Sequence, residues 1–290
     1  MTTDNRDPWL LTPGPLTTSL TVKQAMLHDW GSRDTRFIEM TARIRSSVLA
    51  LAGGEGTHVA VPLQGSGTFI VEATIATLLP RDGKLLVLVN GAYGHRMVKM
   101  CKYLDRACEF LEWAEDVPVN TAEVAARLEQ DKSITHVAVV HCETTSGILN
   151  PLSKIAEVVA AQNRSLLIDT MSAFGALPVD AREIHFDALM ASSNKCLEGA
   201  PGVGFAVIRQ SVLEKTAGNS HSLSLDLYEQ WKALEANGQW RFTPPTHVLA
   251  ALDVAIAEHH AEGGVAGRGA RYADNCRILI DGMREMGFET

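Results

Sequence analysis

Cysteines are few in this sequence, and their spacing matches neither a metal site nor a disulfide framework. The five cysteines among 290 residues are scattered, and none belongs to a CxxC pair or a Cys/His group. We therefore expect free thiols in a reducing compartment and no bound metal.

Membrane and secretion signals are also missing. The apolar runs stay well below the roughly 18 residues that a transmembrane helix needs. The segment from Met1 to Pro8 has neither the basic region nor the apolar region of a signal peptide. We expect a cytoplasmic protein without a membrane partner.

Positive charge is scarce. The sequence has 26 Lys and Arg residues against 34 Asp and Glu residues, which gives a formal net charge of −8. Since no run of basic residues could neutralise a phosphate backbone, we exclude nucleic acid as a partner. An anionic small substrate stays possible, because local basic groups decide its binding.

What the sequence does have is a regular alternation of apolar strand-like runs with helical patterns. Most of the runs are continuously apolar, as in strands that are covered on both faces. This pattern predicts an α/β fold, a three-layer sandwich with a mostly parallel sheet. The predicted strands are 58–62, 84–89, 108–112, 136–140, 165–169, 187–191 and 203–208.

The helices are predicted from apolar residues at helical spacing. The last strand follows its predecessor after only a loop, so it should run antiparallel. Beyond residue 211 the pattern is mainly helical. The predicted helices are 36–51, 67–79, 93–104, 121–130, 152–163, 211–217, 223–236, 246–261 and 269–286.

A glycine-rich turn joins the first strand to a helix at Gln64-Gly-Ser-Gly-Thr. Gly65 and Gly67 would let the backbone approach an anion, and the helix start offers free N–H groups. Ser66 and Thr68 add hydroxyl donors, so a phosphate monoester would fit. A tight turn with an N-cap is the alternative interpretation. The segment matches neither GxGxxG nor GxxxxGK[ST], which disfavours a nucleotide-dependent oxidoreductase.

Two functional side chains follow strand ends, Asp169 and Lys195, 26 residues apart. Strand ends in such sheets point to one crevice, so the carboxylate and the amine should meet there. The pair suits pyridoxal phosphate, whose aldehyde forms a Schiff base with lysine and whose ring nitrogen pairs with a carboxylate. Tyr93 could stack on the ring and Thr144 could donate to its phenolate oxygen. Turn residues and surface residues remain the alternative for each position.

These motifs together resemble the class V aminotransferase group of fold-type I pyridoxal phosphate enzymes. The resemblance runs through the whole chain, and the interval between Asp169 and Lys195 is the one that this group shows. The motifs that carry it are Leu11-Thr-Pro-Gly-Pro, Asp29-Trp-Gly-Ser-Arg-Asp, residues 64–73, Asn90-Gly-Ala-Tyr-Gly, His141-Cys-Glu-Thr-Thr-Ser-Gly-Ile-Leu-Asn-Pro, Ile168-Asp-Thr-Met-Ser, Ser192-Ser-Asn-Lys-Cys and Phe242-Thr-Pro-Pro-Thr.

The resemblance implies a role for each matching residue. Lys195 would bind the cofactor and shuttle a proton, and Asp169 would pair with its ring nitrogen. Thr243 would reach the phosphate of a neighbouring subunit, which implies a homodimer with shared sites. The remaining cofactor contacts that it implies are ring stacking by Tyr93, a bond from Thr144 to the 3′-oxygen, and phosphate binding by Ser66, Gly67, Thr68 and Asn194.

The resemblance also implies a domain plan: an N-terminal segment (1–20), a large cofactor-binding domain (21–245) and the start of a small α+β C-terminal domain (246–290). A helical pattern followed by Gly287-Phe288 is typical of the approach to a further strand, so we expect this small domain to be incomplete. The arginine with which the group grips the substrate carboxylate has no matching position here.

For the reaction, the resemblance implies transamination of 2-aminoethylphosphonate with pyruvate, giving phosphonoacetaldehyde and L-alanine. We further hypothesise that Ser32 and Arg33 help bind the phosphonate, because a dianion needs cationic partners; a surface arginine paired with Asp29 or Asp34 is the alternative. Alanine–glyoxylate or serine–pyruvate transamination is a second possibility, and an inactive fragment that binds the cofactor or dimerises is a third.

Overall fold

The computed structural model describes residues 7–290, and its centre is a seven-stranded sheet with the order β1-β7-β6-β5-β4-β2-β3. Strands β2 to β6 run parallel to one another, whereas β7 is antiparallel to both β1 and β6. The strands are β1 (His58–Gln64), β2 (Lys84–Val89), β3 (Ala107–Glu112), β4 (Ile134–Val140), β5 (Ser165–Asp169), β6 (Ala188–Ser192) and β7 (Val203–Arg209).

Helices cover both faces of this sheet, which confirms the predicted α/β sandwich. The pairing of β7 confirms that this strand is antiparallel, as predicted. Continuously apolar strands fit this arrangement, because alternate side chains enter a core on each side. The helices are α1 (Leu20–Ala25), α2 (Thr35–Leu51), α3 (Gly67–Leu78), α4 (Ala92–Tyr103), α5 (Thr121–Gln130), α6 (Leu152–Ala161), α7 (Gln210–Leu213), α8 (Leu227–Asn237), α9 (Thr246–Ala261) and α10 (Gly264–Glu285).

The two cores differ in the helices that build them. One core joins Leu166 and Ile168 of β5 to α2, α5, α6 and α9. The other joins Leu167 of the same strand to α3, α4, α7 and α8. Because side chains two residues apart on a strand share one face, Asp169 lies on the same face as Leu167, the face covered by α3 and α4.

Local sequence explains where the structure departs from the helix predictions. Helix α10 begins at Gly264, five residues earlier than predicted, although Gly264 and Gly267 have low helix propensity. Helix α8 begins at 227 instead of 223, since Asp226 caps it by accepting from the N–H of Glu229 at 3.1 Å. The short α1 was not predicted. No helix within residues 7–290 has the length and hydropathy to cross a membrane.

The C-terminal helices lie against the rest of the molecule. Helix α9 adds Leu249, Leu252 and Ile256 to the core beneath the sheet. Along α10, by contrast, Arg268 alone is buried. A separate small domain after residue 245, and the other domain boundaries, stay predictions.

Candidate active site

Asp169 lies at the carboxyl end of β5 and is 3% exposed. Its Oδ1 accepts a hydrogen bond from the N–H of Met171 at 2.9 Å, and its carbonyl oxygen accepts one from the N–H of His141 at 2.8 Å. Burial raises the pKa of Asp169 to about 6, against a smaller opposing effect of the Met171 hydrogen bond. A carboxylate in this position would gain from a cationic partner, such as a protonated ring nitrogen.

Lys195 lies in the loop between β6 and β7. Two main-chain bonds shape this loop: Glu198 N–H donates to the carbonyl of Lys195, and Gly199 N–H donates to the carbonyl of Ser193, each at 2.8 Å. The Nζ of Lys195 donates to the carbonyl of Gly14 at 3.3 Å. Burial lowers the pKa of Lys195, although Cys196 and Asp169 act in the opposite direction. The amine therefore loses its proton more readily than a surface lysine and is a better nucleophile.

The glycine-rich turn forms the start of α3, as predicted. Gly65 has a φ of 131°, in the region that favours glycine. Ser66 is at the N-cap position, but its side chain makes no capping hydrogen bond. A Cβ added to Gly67 would lie 2.7 Å from Sδ of Met171, so a side chain here would crowd the site. The first N–H groups of α3 and the Ser66 hydroxyl thus form an opening suited to an anion.

These elements meet in one cavity of about 280 Å³. The α3 turn, Asp169, Lys195 and Tyr93 all line it. An anion-binding turn, a buried carboxylate and an amine of lowered pKa in one cavity match the phosphate, ring nitrogen and aldehyde of pyridoxal phosphate. The predicted residues that share this cavity are Ser66, Gly67, Thr68, Tyr93, Asp169, Asn194 and Lys195.

Arg96 also lines the cavity, although it was not among the predicted site residues. Its Nη1 donates to Oγ1 of Thr68 at 3.1 Å, and its guanidinium lies 4.4 Å from the ring centre of Tyr93. The sequence spacing could have indicated it, because Arg96 follows Tyr93 by three residues and therefore lies on the same face of α4. Arg96 adds a cation beside the α3 turn.

A buried carboxylate, Glu143, was missed as well. Its Oε1 accepts from the hydroxyl of Thr145 at 2.6 Å, and that hydroxyl in turn accepts from the N–H of Ala92 at 3.2 Å. The pair thereby ties the loop that carries Thr144 to the start of α4, one residue before Tyr93. Nothing in the motif His141-Cys-Glu-Thr-Thr distinguishes Glu143 from an exposed loop residue.

The other predicted residues lie outside this cavity. Thr144 lines a neighbouring cavity of about 700 Å³ together with Ser172 and Cys196. Ser32, Arg33 and Thr243 share a third hollow of about 350 Å³, which does not include Lys195. In a single subunit, the predicted phosphonate residues therefore accompany Thr243 and not the lysine. All of these residue roles stay predictions.

The fold and the cavity define a class of protein: an α/β protein whose cavity brings together a glycine-rich helix start, a buried acid and a lysine. The family profile described as "Aminotransferase class-V" matches residues 22–285. This chain belongs to the class V aminotransferase family, whose members use pyridoxal phosphate. The cofactor prediction and the family resemblance are confirmed.

Within this family, the chain is similar to transaminases of one named activity. The chain is 57% identical over 284 residues to a 2-aminoethylphosphonate–pyruvate transaminase of Pseudomonas fluorescens, covering 98% of this chain and 77% of that protein. It is 54% identical over 290 residues to a transaminase of the same name from Pseudomonas aeruginosa, covering 100% and 78% of the two chains. This chain thus spans about three quarters of the length of these relatives.

Solved structures support the same fold. An alanine–glyoxylate aminotransferase from Nostoc sp. superposes with a TM-score of 0.91 at 24% identity, covering 98% of this chain and 76% of that one. A pyridoxamine–pyruvate aminotransferase from Mesorhizobium loti gives a TM-score of 0.88 at 24% identity, covering 98% and 73%. These similarities concern the fold and carry no substrate assignment.

Proposed function

We propose that this chain catalyses amino transfer from 2-aminoethylphosphonate to pyruvate, with pyridoxal phosphate as cofactor, giving phosphonoacetaldehyde and L-alanine. The observation that carries the proposal is the single cavity that joins Lys195, Asp169 and the α3 turn. The names of relatives more than 50% identical over nearly the whole chain support the substrate pair.

The α3 turn and Arg96 would hold the cofactor's phosphate, and Asn194 would assist them. Tyr93, which lines the cavity, would stack on the ring. Thr144, in the neighbouring cavity, would hold the 3′-oxygen. Bound there, pyridoxal phosphate supplies an electron sink that acidifies the C–H bond next to the donor's nitrogen.

Lys195 and Asp169 would carry the chemistry. Since burial lowers the pKa of Lys195, its Nζ can accept the proton from the carbon next to the donor's nitrogen and return it elsewhere. The Asp169 carboxylate would keep a proton on the ring nitrogen through charge pairing. In the second half-reaction the same Nζ would deliver a proton to the carbon that becomes Cα of alanine.

The test of this substrate assignment is a donor screen on the purified holoprotein. With pyruvate as acceptor, we expect kcat/KM with the phosphonate donor to exceed the values with serine and alanine by about 100-fold or more, because a site built for a dianion leaves its polar groups unpaired with neutral side chains. Alanine with glyoxylate is the matched alternative pair. Comparable or faster turnover of that pair, or of serine, would refute the phosphonate assignment.

We further propose that the chain works as a homodimer in the cytoplasm. Phe69, next to the α3 turn, is 50% exposed, and Phe242, next to Thr243, is 49% exposed. Both line one hollow of about 410 Å³, an apolar surface of the kind that a second copy covers. The five free cysteines suit a reducing compartment. Sedimentation of the holoprotein as a monomer at micromolar concentration would exclude the dimer.

A further inference from the structure

A group of mostly charged residues joins the Lys195 loop to the end of α9 and to α10. It consists of Glu198 in that loop, Glu262 at the end of α9, and Arg268, Arg271 and Tyr272 on α10. We call it the α10 clamp. None of the five is a predicted site residue, although Glu198, Arg271 and Tyr272 line the cavity of about 700 Å³ that also holds Thr144. Together they hold the loop segment that directly follows Lys195.

Arg268 is the centre of the clamp. It is 2% exposed, and its Nη1 donates to the carbonyl of Cys196 at 2.5 Å. That carbonyl belongs to the residue immediately after Lys195. The Nε of Arg268 donates to Oε2 of Glu262 at 2.5 Å. A buried guanidinium with two bonds of this kind is a rigid support, because its planar fork fixes both directions at once.

Glu198 gives the clamp its second attachment to the loop. Its Oε1 accepts from the hydroxyl of Tyr272 at 2.7 Å and from Nη2 of Arg271 at 2.8 Å. Glu198 has a φ of 57°, which is costly for a residue other than glycine. The two contacts to α10 offset this cost and hold the turn that brings the Lys195 side chain into the cavity.

The two glutamates are shared between the two arginines, so the clamp is one connected network. The carboxylate of Glu262 accepts a hydrogen bond from Nε of Arg271 at 2.6 Å in addition to the one from Arg268. The hydrogen bond from Arg271 is the main reason that the pKa of Glu262 falls to about 2. Helix α10 also approaches the body of the molecule closely at Gly269, where an added Cβ would lie 2.4 Å from the carbonyl oxygen of Ala176. The support is thus fixed to the body of the molecule.

We propose that Arg268 is a positioning residue, which holds the main chain at Cys196 so that the Lys195 amine stays at the reacting carbon. The proposal rests on the transaminase function proposed above. A displacement of about 1 Å at a reacting group can cost about 100-fold in rate. Loss of Arg268 should therefore lower kcat while leaving substrate affinity nearly unchanged.

The test compares Arg268→Met, Arg268→Lys and the control Arg277→Met, an exposed arginine of α10 that pairs with Asp274 and Asp281. For Arg268→Met we expect kcat to fall about 100-fold and the KM of the donor to change by less than about threefold. Arg268→Lys, which keeps the charge but not the fork, should recover part of the loss. Arg277→Met should match the wild type.

A second readout needs neither cofactor nor donor. Acetylation of the apoprotein over a range of pH, followed by peptide mass spectrometry, reports how readily Lys195 loses its proton. A loosened loop lets water reach the amine, so the Lys195 profile of Arg268→Met should move to higher pH. If this profile shifts but no donor is turned over, the proposed function fails and the positioning role stands.

Unchanged kcat and an unchanged Lys195 profile in folded Arg268→Met would overturn the proposal, as would a loss of thermal stability with neither readout altered. If Arg268→Met does not fold, Tyr272→Phe and Glu198→Gln take its place, since each removes an outer contact of the clamp. We expect kcat to fall about tenfold in each. Wild-type kcat in both would count against the proposal in the same way.

Discussion

The cavity around Lys195 and the hollow around Arg33 differ in how completely one subunit fixes them. In the cavity, Asp169 and Lys195 are held by main-chain hydrogen bonds from Met171 and to Gly14. In the hollow, the side chains of Arg33 and Thr243 are exposed and that of Ser32 is half-buried. The acid and the amine are thus held within the single chain, whereas the residues predicted to recognise the phosphonate lie in a more exposed hollow.

Removing the Lys195 amine should give the largest effect on activity, because it removes the reacting group that the cavity holds. We expect Lys195→Ala to lower kcat by about 10⁴-fold or more, since it deletes both the covalent partner and the proton carrier. Lys154→Ala, at an exposed position of α6, is the matched control. Borohydride reduction and peptide mapping of the wild-type holoprotein should locate the cofactor on Lys195. A reduced adduct on another residue would contradict the assignment.

The second prediction concerns how strongly the interior of the cavity penalises a charge. Burial raises the pKa of Asp169 from 3.8 to about 6, so between these values the folded apoprotein binds the proton more tightly than the unfolded chain does. Stability is therefore lost as the pH rises from about 4 to 6, and the ionised carboxylate costs about 3 kcal/mol above that range.

Asp169→Asn keeps the acceptor for Met171 but cannot ionise. In the apoprotein we expect it to be more stable than the wild type by up to about 3 kcal/mol at pH 8, with the difference vanishing near pH 4. Urea denaturation across this pH range measures both. Asp116→Asn, at an exposed position, should show no such dependence. A constant difference at every pH would mean that the carboxylate is not the titrating group.

The same comparison explains how much the sequence predicted. Apolar strands, the glycine-rich turn and the acid and lysine at strand ends are local patterns, and parallel strands bring their ends together by geometry alone. The acid, the lysine and the turn residues of the cavity were therefore predictable, whereas Arg96 was missed. The position of Thr243 beside Arg33 and not Lys195 depends on how the 239–244 loop packs, which no local pattern encodes.

Residues that act through contacts distant in sequence were missed for a similar reason. Arg268 touches Cys196 across 72 positions of the chain. Its segment, Gly263 to Gly269, is rich in glycine and predicts a loop, although the structure makes it helical. A buried arginine cannot be distinguished from a surface one when the helix that presents it is not recognised.

Arg96 tests whether the cavity's anion site extends beyond the α3 turn. We expect Arg96→Gln to weaken pyridoxal phosphate binding about tenfold, since it removes a cation beside Thr68 and Tyr93. The affinity for pyridoxal, which lacks the phosphate, should change much less. Lys99→Gln is a close control, because Lys99 is another cation of α4 over a tyrosine ring, at 5.9 Å from the centre of Tyr103. Equal losses for both ligands would place Arg96 elsewhere than at the phosphate.

The last prediction concerns the hollow, where Arg33 lies beside Thr243, the residue predicted to reach a neighbouring subunit. Arg33→Ala should raise the KM of the phosphonate donor about tenfold while kcat changes little, because the lost contact serves binding alone. Mixed dimers of Arg33→Ala with inactive Lys195→Ala then decide which subunit Arg33 serves. If it serves the partner, the mixed dimer has one site with both native residues and shows the wild-type KM. If it serves its own subunit, every active site lacks Arg33, and the KM stays high however the two variants are mixed.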